Sequence, residues 1–277
     1  MIRISAKGAL MKGANKLFQE QKEQFLQKNL IVMQSSLQGQ LFGWAQLNNA
    51  LQKAQDVDEA HFATVWEFDL VKMPKLFDIV RAKGGGKAPD VYEVRLLDRI
   101  DNMPTKRTDT FGKPIVKGVT RNITKSTNRL IGYYCPWSGN RAWSVQLDNQ
   151  ADYFFTATLN GCTVAVEGGQ TPRITHANYI DAATQIDQQS IDDEIARRHA
   201  GAIATVKKTD YTNVAKKDAA RVTDTVLDYQ ACVVGFREKN GWHFYYQSYK
   251  KFQAASAKNP SVTLNHAVLR DRAVRLV

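Results

Sequence analysis

No apolar run in this sequence approaches the ~20 residues that a membrane-spanning helix needs. The basic start, MIRISAKGALMKGANKLFQEQ, turns polar before a signal-peptide centre forms, so the chain reads as soluble with nothing demanding Sec-type export. Cysteine is scarce: Cys135, Cys162 and Cys232 are odd in number and widely spaced, which argues against a disulfide framework. No CxxC pair is present, so no zinc site is expected, and no other metal or cofactor is implied. Gly84-Gly85-Gly86-Lys87 lacks the GxxxxGK[ST] spacing of a phosphate loop, since Ala88 and Pro89 follow the lysine, and reads as a turn. There is no internal repeat.

What is abundant is positive charge. Thirty-eight Lys and Arg against 27 Asp and Glu leave a net +11, which attracts acidic partners over long range. The cations are scattered, from Lys72 and Lys75 through Lys106-Arg107 to Lys250-Lys251, and none sits in a recognisable nucleic-acid module. A basic nucleic-acid-binding protein stays open as a non-enzymatic alternative. In it, Tyr133, Tyr134 and Trp137, near Arg129 and Arg141, would stack bases, although in a β-rich domain such aromatics are commonly core.

Hydrophobic periodicity divides the chain near residue 60. From 9 to about 60, Phe18, Phe25, Leu26 and Leu30 recur at helical spacing, and Leu37, Leu41, Trp44, Leu47 and Leu51 continue it. This N-terminal segment, 1–60, reads as a helical cap or a partner-docking arm. Residues 61–277 read as an α+β domain: a β-sandwich of mixed sheets with helices and long loops, its active-site core at about 130–250. Strands are predicted around Phe62–Phe68, Val91–Leu96, Ile131–Cys135, Ala142–Leu147, Tyr153–Ala157, Thr163–Val166 and Arg173–His176. Residues 101–128 read as a long loop. A helix opens near Ser190, where Ser-x-x-Asp to Asp193 resembles a capping box, and ends by Gly201. A last hairpin, Ala231–Phe236 and Trp242–Tyr246, turns at Asn240-Gly241.

The informative window runs from Tyr153 to Asn178. A strand ends near Thr158, an Asn160-Gly161 turn follows, and Cys162 opens the next segment, where glycine lets a substrate approach the sulfur. After the Glu167-Gly-Gly turn an antiparallel strand returns, bringing His176 beside Cys162. A thiolate is the nucleophile of such a pair, and a neighbouring imidazole is expected to lower the thiol pKa and to protonate a leaving amine. The bland alternative is a buried cysteine beside a hydrogen-bonded strand histidine. Asn178, two residues after His176 and on the same side of the strand, is a candidate for lining the cleft.

Thr156, Leu159-Asn160-Gly161-Cys162 and His176 together resemble the active-site pattern of the superfamily of cytotoxic necrotizing factor catalytic domains, Burkholderia lethal factor and chemoreceptor glutamine deamidases. There a Leu-Ser-Gly-Cys-like turn follows a threonine six residues before the cysteine, with a histidine on the next strand. Thr156 lies six before Cys162 and His176 fourteen after it; Asn160 replaces the serine that many relatives carry. The resemblance implies a protein glutamine deamidase acting through a thioester, with transglutamination when a primary amine resolves it. It also implies Cys162 as nucleophile, His176 as base, Thr156 orienting His176, and backbone around Gly161 and Asn160 holding the oxyanion. The partner would be a target protein bearing a reactive glutamine, with no nucleic-acid substrate and no membrane span. The protein would be a toxin or effector delivered into a target cell and active in its cytosol. A papain-like protease pairing Cys162 with His243 is the rival enzyme. His61, His199 and His266 read as surface or helix-end residues.

Overall fold

A computed structural model describes residues 13–33, 65–72, 90–100, 129–137, 139–183, 185–201, 203–212, 225–255, 263–269 and 273–277. The expected turn at 84–87, the loop at 101–128, and the end of the helical segment near 60 lie outside these residues, as does His61.

The chain enters through two short helices, α1 (Ala14–Glu20) and α2 (Lys22–Lys28), which bury Phe18, Phe25 and Leu26. The helical periodicity read through Leu30 stops at Lys28. Asn29–Met33 is a strand, β1, with Leu30 through Met33 all buried. A continuous apolar run fits a strand covered on both faces, and Leu30 satisfies either pattern. Phe18, Phe25 and Leu26 share one core cluster with the β-strands that follow.

The remaining strands are β2 (Val65–Lys72), β3 (Asp90–Ile100), β4 (Leu130–Cys135), β5 (Arg141–Gln146), β6 (Tyr153–Thr156), β7 (Thr163–Glu167), β8 (Arg173–Asn178), β9 (Ile203–Val206), β10 (Thr225–Glu238), β11 (Gly241–Ala255), β12 (Thr263–Leu269) and β13 (Val274–Arg275). Two further helices are α3 (Gln188–Arg198) and α4 (Lys208–Thr212). The larger sheet runs β1-β3-β2-β4-β6-β10-β11-β12, with β13 also on β11. It is mixed: β1/β3 and β4/β6 are parallel, the other pairs antiparallel. The smaller sheet, β5-β8-β7-β9, is antiparallel throughout. The class is therefore α+β with mixed sheets, as the element order implies.

Side-chain alternation explains how the layers stack. Trp143 and Val145 of β5, Val164 and Val166 of β7, Ile174 of β8 and Val206 of β9 join the main core cluster with residues of the large sheet. The alternate residues Ala142, Ala165 and Ala177 form a second cluster with Ile191 and Ile195 of α3. Alanine on that face lets the helix lie close. Helix α3 begins at Asp187, three residues before the expected Ser190: the Asp187 carboxylate accepts from Ser190 N at 3.0 Å and Ser190 Oγ at 2.6 Å. Both residues are good caps, and the carboxylate wins because it also draws the serine hydroxyl. The β10/β11 hairpin forms as expected, with Gly241 taking the left-handed φ of 125°.

One buried polar residue ties the entering segment to this frame. Gln247 of β11, fully buried, accepts from Ile31 N at 2.9 Å and donates to Leu26 O at 2.7 Å and Asn29 O at 2.6 Å. Its amide closes the α2–β1 junction, where no ladder could reach those groups. Gln247→Leu leaves three backbone groups without that partner and is expected to destabilise the fold by roughly 3 kcal/mol or more. Urea denaturation checks this; a loss under about 1 kcal/mol would mean that water replaces the amide.

Candidate active site

The Cys162 turn begins where β6 leaves the large sheet. Leu159 makes an antiparallel bridge to Ala231 of β10 and holds the chain there for one residue. Gly161 then takes φ 91°, a left-handed value that favours glycine. A Cβ at Gly161 would stand 2.8 Å from Ile186 Cδ1, a contact that the isoleucine tip would have to shift to relieve, while the dihedral strains any side chain there. The turn is held by a residue fifty positions away. Tyr211, buried on α4, accepts from Gly161 N at 2.7 Å and donates to Cys162 O at 3.1 Å.

From Cys162 the chain enters β7, and the expected hairpin with β8 forms. Its register pairs Thr163 with Ala177 and Val164 with His176. His176 and Asn178 alternate onto one face of β8, and Cys162, the residue just before the ladder, is buried in the same core cluster as Val164, the register partner of His176. Trp143 of β5 flanks His176 on the other side.

Both members of the pair are sealed. Cys162 is 0% exposed and His176 is 1% exposed. Burial pushes the thiol up to about 11, with the Asn160 backbone and the Trp137 side chain opposing part of that rise. Burial also drives the imidazole down to about 4, with the Cys135 backbone offsetting part of that fall. This corrects the expectation of a lowered thiol pKa. A neutral imidazole has no positive charge with which to hold a thiolate, so desolvation decides both groups in the direction of neutrality. Cys232 is pushed up further, to about 12, and its sulfur donates to Ile31 O, the behaviour of a structural cysteine.

Thr156 does not orient His176. Its hydroxyl accepts from Val233 N at 3.0 Å, mending the β10 ladder where β6 ends. Neither His176 nitrogen has a partner in hydrogen-bond geometry, and the Asn178 Oδ1 is likewise buried and unpartnered. Thr156 is instead the register partner of Cys135, the residue whose backbone lies by the His176 ring. Gly161 does not offer its N–H to an oxyanion, because Tyr211 takes it. Asn160 is exposed, and its backbone faces the sulfur.

The other histidines are placed apart from the pair. His243 sits at the end of the β10/β11 hairpin, with Nε2 on Asn240 Oδ1 at 2.8 Å and Nδ1 on Arg275 Nη2 at 2.7 Å. Its register partner Phe236 lies five residues along β10 from Ala231, roughly 16 Å from the bridge that anchors the cysteine turn. His199, read as a surface or helix-end residue, caps the end of α3, and its buried side chain is held between Glu167 Oε1 and Thr175 Oγ1, each at 2.8 Å. It is buried because that helix end packs onto β7 and β8.

Tyr133 and Tyr134 are buried, which removes them as base-stacking surfaces, whereas Trp137 is 44% exposed. No helix among the described residues is long and apolar enough to cross a membrane. No group of three or more metal-ligating side chains occurs among them. Comparison with protein-family profiles and with curated protein sequences finds no match for this chain.

Two outcomes test this geometry. His176 has a folded pKa near 4 against 6.5 unfolded, so its contribution is complete above pH 6.5 and is lost as pH falls towards 4. Between pH 7.5 and 4.5 the wild type should therefore lose roughly 2–3 kcal/mol that His176→Gln does not lose, measured by urea unfolding at both pH values. Equal acid sensitivity would mean that the ring is solvated. Tyr211→Phe should cost about 1–3 kcal/mol, because it strands the buried Gly161 N–H; an unchanged melting curve would show that the turn holds without the hydroxyl.

Proposed function

We propose that this chain is a cysteine-dependent protein glutamine deamidase, with Cys162 as nucleophile and His176 as general base. The observation that carries the reading is the register of β7 and β8. Cys162 leads directly into the strand paired with the one that carries His176 and Asn178, and both His176 nitrogens and the Asn178 oxygen are buried without a partner in hydrogen-bond geometry. Buried polar atoms are nearly always hydrogen-bonded, so a group of orphans beside a thiol asks for an explanation, and an incoming amide is one. The Thr156, Asn160-Gly161-Cys162 and His176 spacing that resembles the deamidase superfamily adds the reaction class.

In this mechanism the neutral imidazole takes the Sγ proton as sulfur bonds to the carboxamide carbon. No thiolate accumulates beforehand, which suits a thiol held near 11 and a ring held near 4. The imidazolium then gives that proton to the nitrogen, the C–N bond breaks and ammonia leaves. Water, deprotonated by the same ring, attacks the thioester; the C–S bond breaks, the ring returns that proton to the sulfur, and the target protein leaves with a glutamate side chain. If a primary amine attacks instead, the product is a crosslink. An effector acting inside a target cell is the setting the resemblance suggests. The papain-like pairing has no geometric support, since Asn240 and Arg275 occupy both nitrogens of His243.

Ammonia release from a cell lysate, followed by intact-mass analysis of the modified proteins, tests the proposal. Cys162→Ser and Cys162→Ala should abolish turnover with the fold retained. His176→Ala should reduce it by ~10³-fold, in the range for a lost acid–base group. His243→Ala should alter stability alone, through its lost bonds to Asn240 and Arg275. An inactive His243→Ala beside an active His176→Ala would replace the present assignment with the papain-like one.

A further inference from the structure

Buried amides that serve the fold are bonded through both their oxygen and their nitrogen in this protein. Asn15, 5% exposed, donates from Nδ2 to Asp69 Oδ1 at 2.6 Å and accepts from Leu70 N at 2.8 Å. Gln247 does the same across the α2–β1 junction. Asn178 is 7% exposed and departs from that pattern, because its Oδ1 is buried without a partner in hydrogen-bond geometry. Such an acceptor costs stability until something fills it, and what fills it must carry an N–H or O–H. Its place in the fold narrows the choice. Asn178 lies two residues beyond His176 on β8, on the same face and roughly 6–7 Å along the strand. The β7/β8 ladder ends at the Thr163–Ala177 pair, so Cys162 and Asn178 are the next residues of the two chains at one end of the hairpin. The acceptor therefore stands at the end where the thiol is, one side chain along from the imidazole. Solvent reaches it more than it reaches either of them.

Resting on the thiol-enzyme reading above, we propose that Asn178 Oδ1 holds the amino group of the substrate carboxamide and makes this site select primary amides over esters. As His176 gives its proton to the nitrogen, that nitrogen gains positive charge, and its hydrogen bond to Oδ1 strengthens at that moment. Held there, the leaving nitrogen lies between Oδ1 and the ring that protonates it. An ester has no N–H at the leaving position and gains nothing from Asn178.

Two reactions of the one thiol separate this role from packing: ammonia release from a dialysed cell lysate, and hydrolysis of p-nitrophenyl acetate. In the second the thiol proton passes to the ring, the S–C bond forms, the C–O bond breaks and p-nitrophenolate departs; water then releases acetate. Each rate is taken as the excess over Cys162→Ala. Asn178→Leu keeps the volume and removes the acceptor. Its ammonia release should fall roughly 10–100-fold, as for a lost hydrogen bond to a charged group, with its ester rate within about threefold of wild type. Its melting temperature should hold or rise, the opposite of what losing a structural amide does. Asn178→Asp restores an acceptor oxygen and should recover most of the amide-to-ester ratio. An unchanged ratio in Asn178→Leu, a lowered melting temperature there, or an Asn178→Asp as poor as Asn178→Leu overturns the role of Asn178 and leaves the thiol-enzyme reading standing. So does a wild type that turns over the ester through Cys162 and releases no ammonia. A wild type in which neither reaction depends on Cys162 removes that reading, and this inference with it.

Discussion

The small sheet is covered on both faces, by the large sheet on one side and by α3 on the other, and most of what the protein can do at Cys162 follows from that double burial. A strand covered on both faces has no tolerance for a register slip, because a shift of one residue exchanges its two faces. Here the faces differ sharply. One offers Trp143, Val145, Val164, Val166 and Ile174 to a deep core, the other offers alanines to a helix. The contrast fixes β8 so that His176 points inward, and fixes β7 so that Cys162 does too. The left-handed Gly161 and the Tyr211 hydroxyl then determine where the strand begins, and so where the sulfur stands relative to the ring.

The same burial sets the electrostatics. The ordinary pKa values of a thiol and an imidazole lie about two units apart in water; inside this sandwich desolvation drives them further apart, in opposite directions. A resting thiol near 11 is protected from adventitious alkylation and oxidation, which need thiolate and access. Reactivity is then conditional on an arriving group that replaces some of the missing polar environment. A carboxamide is suited to this, since it brings both a donor and an acceptor to a place where Asn178 and His176 have free capacity.

Much of the frame was legible in the sequence because it depends on local patterns. The strands from Leu130 to Asn178 are short and separated by polar or glycine-containing turns, and the Glu167-Gly168-Gly169 turn marks the hairpin that pairs the strand after Cys162 with the one that carries His176. Local ambiguity explains the smaller errors: Leu30 fits helix and strand periods alike, and Asp187 competes with Ser190 three positions later for the same cap. What depends on tertiary packing was not legible. Nothing in a linear reading links Tyr211 to Gly161, and nothing shows that Val233 takes the Thr156 hydroxyl. The direction of the thiol shift was misread for the same reason: the spacing that pairs cysteine with histidine says nothing about how dry the pair is.

Two histidines of this small region show what a purely structural role looks like and what it does not. Thr175 and His176 are consecutive on β8 and therefore project to opposite faces. On the helix side, His199 has both nitrogens satisfied, one by Glu167 and one by Thr175; Thr175 pairs in turn with Ser144 at 2.8 Å, and Ser144 with Arg198 at 3.0 Å. Each polar group there has a partner, and the network pins the end of α3 to the sheet. On the inner side His176 is equally buried, and neither nitrogen has a partner in hydrogen-bond geometry, although the Cys135 backbone lies near enough to offset part of the fall in its pKa. Without a fully formed bond, such a histidine is less favourable there than an apolar side chain of similar size, because a buried unpaired polar group costs about 1–3 kcal/mol. The contrast with His199 is what the proposed role for His176 draws on, since a base must have a nitrogen open to a proton.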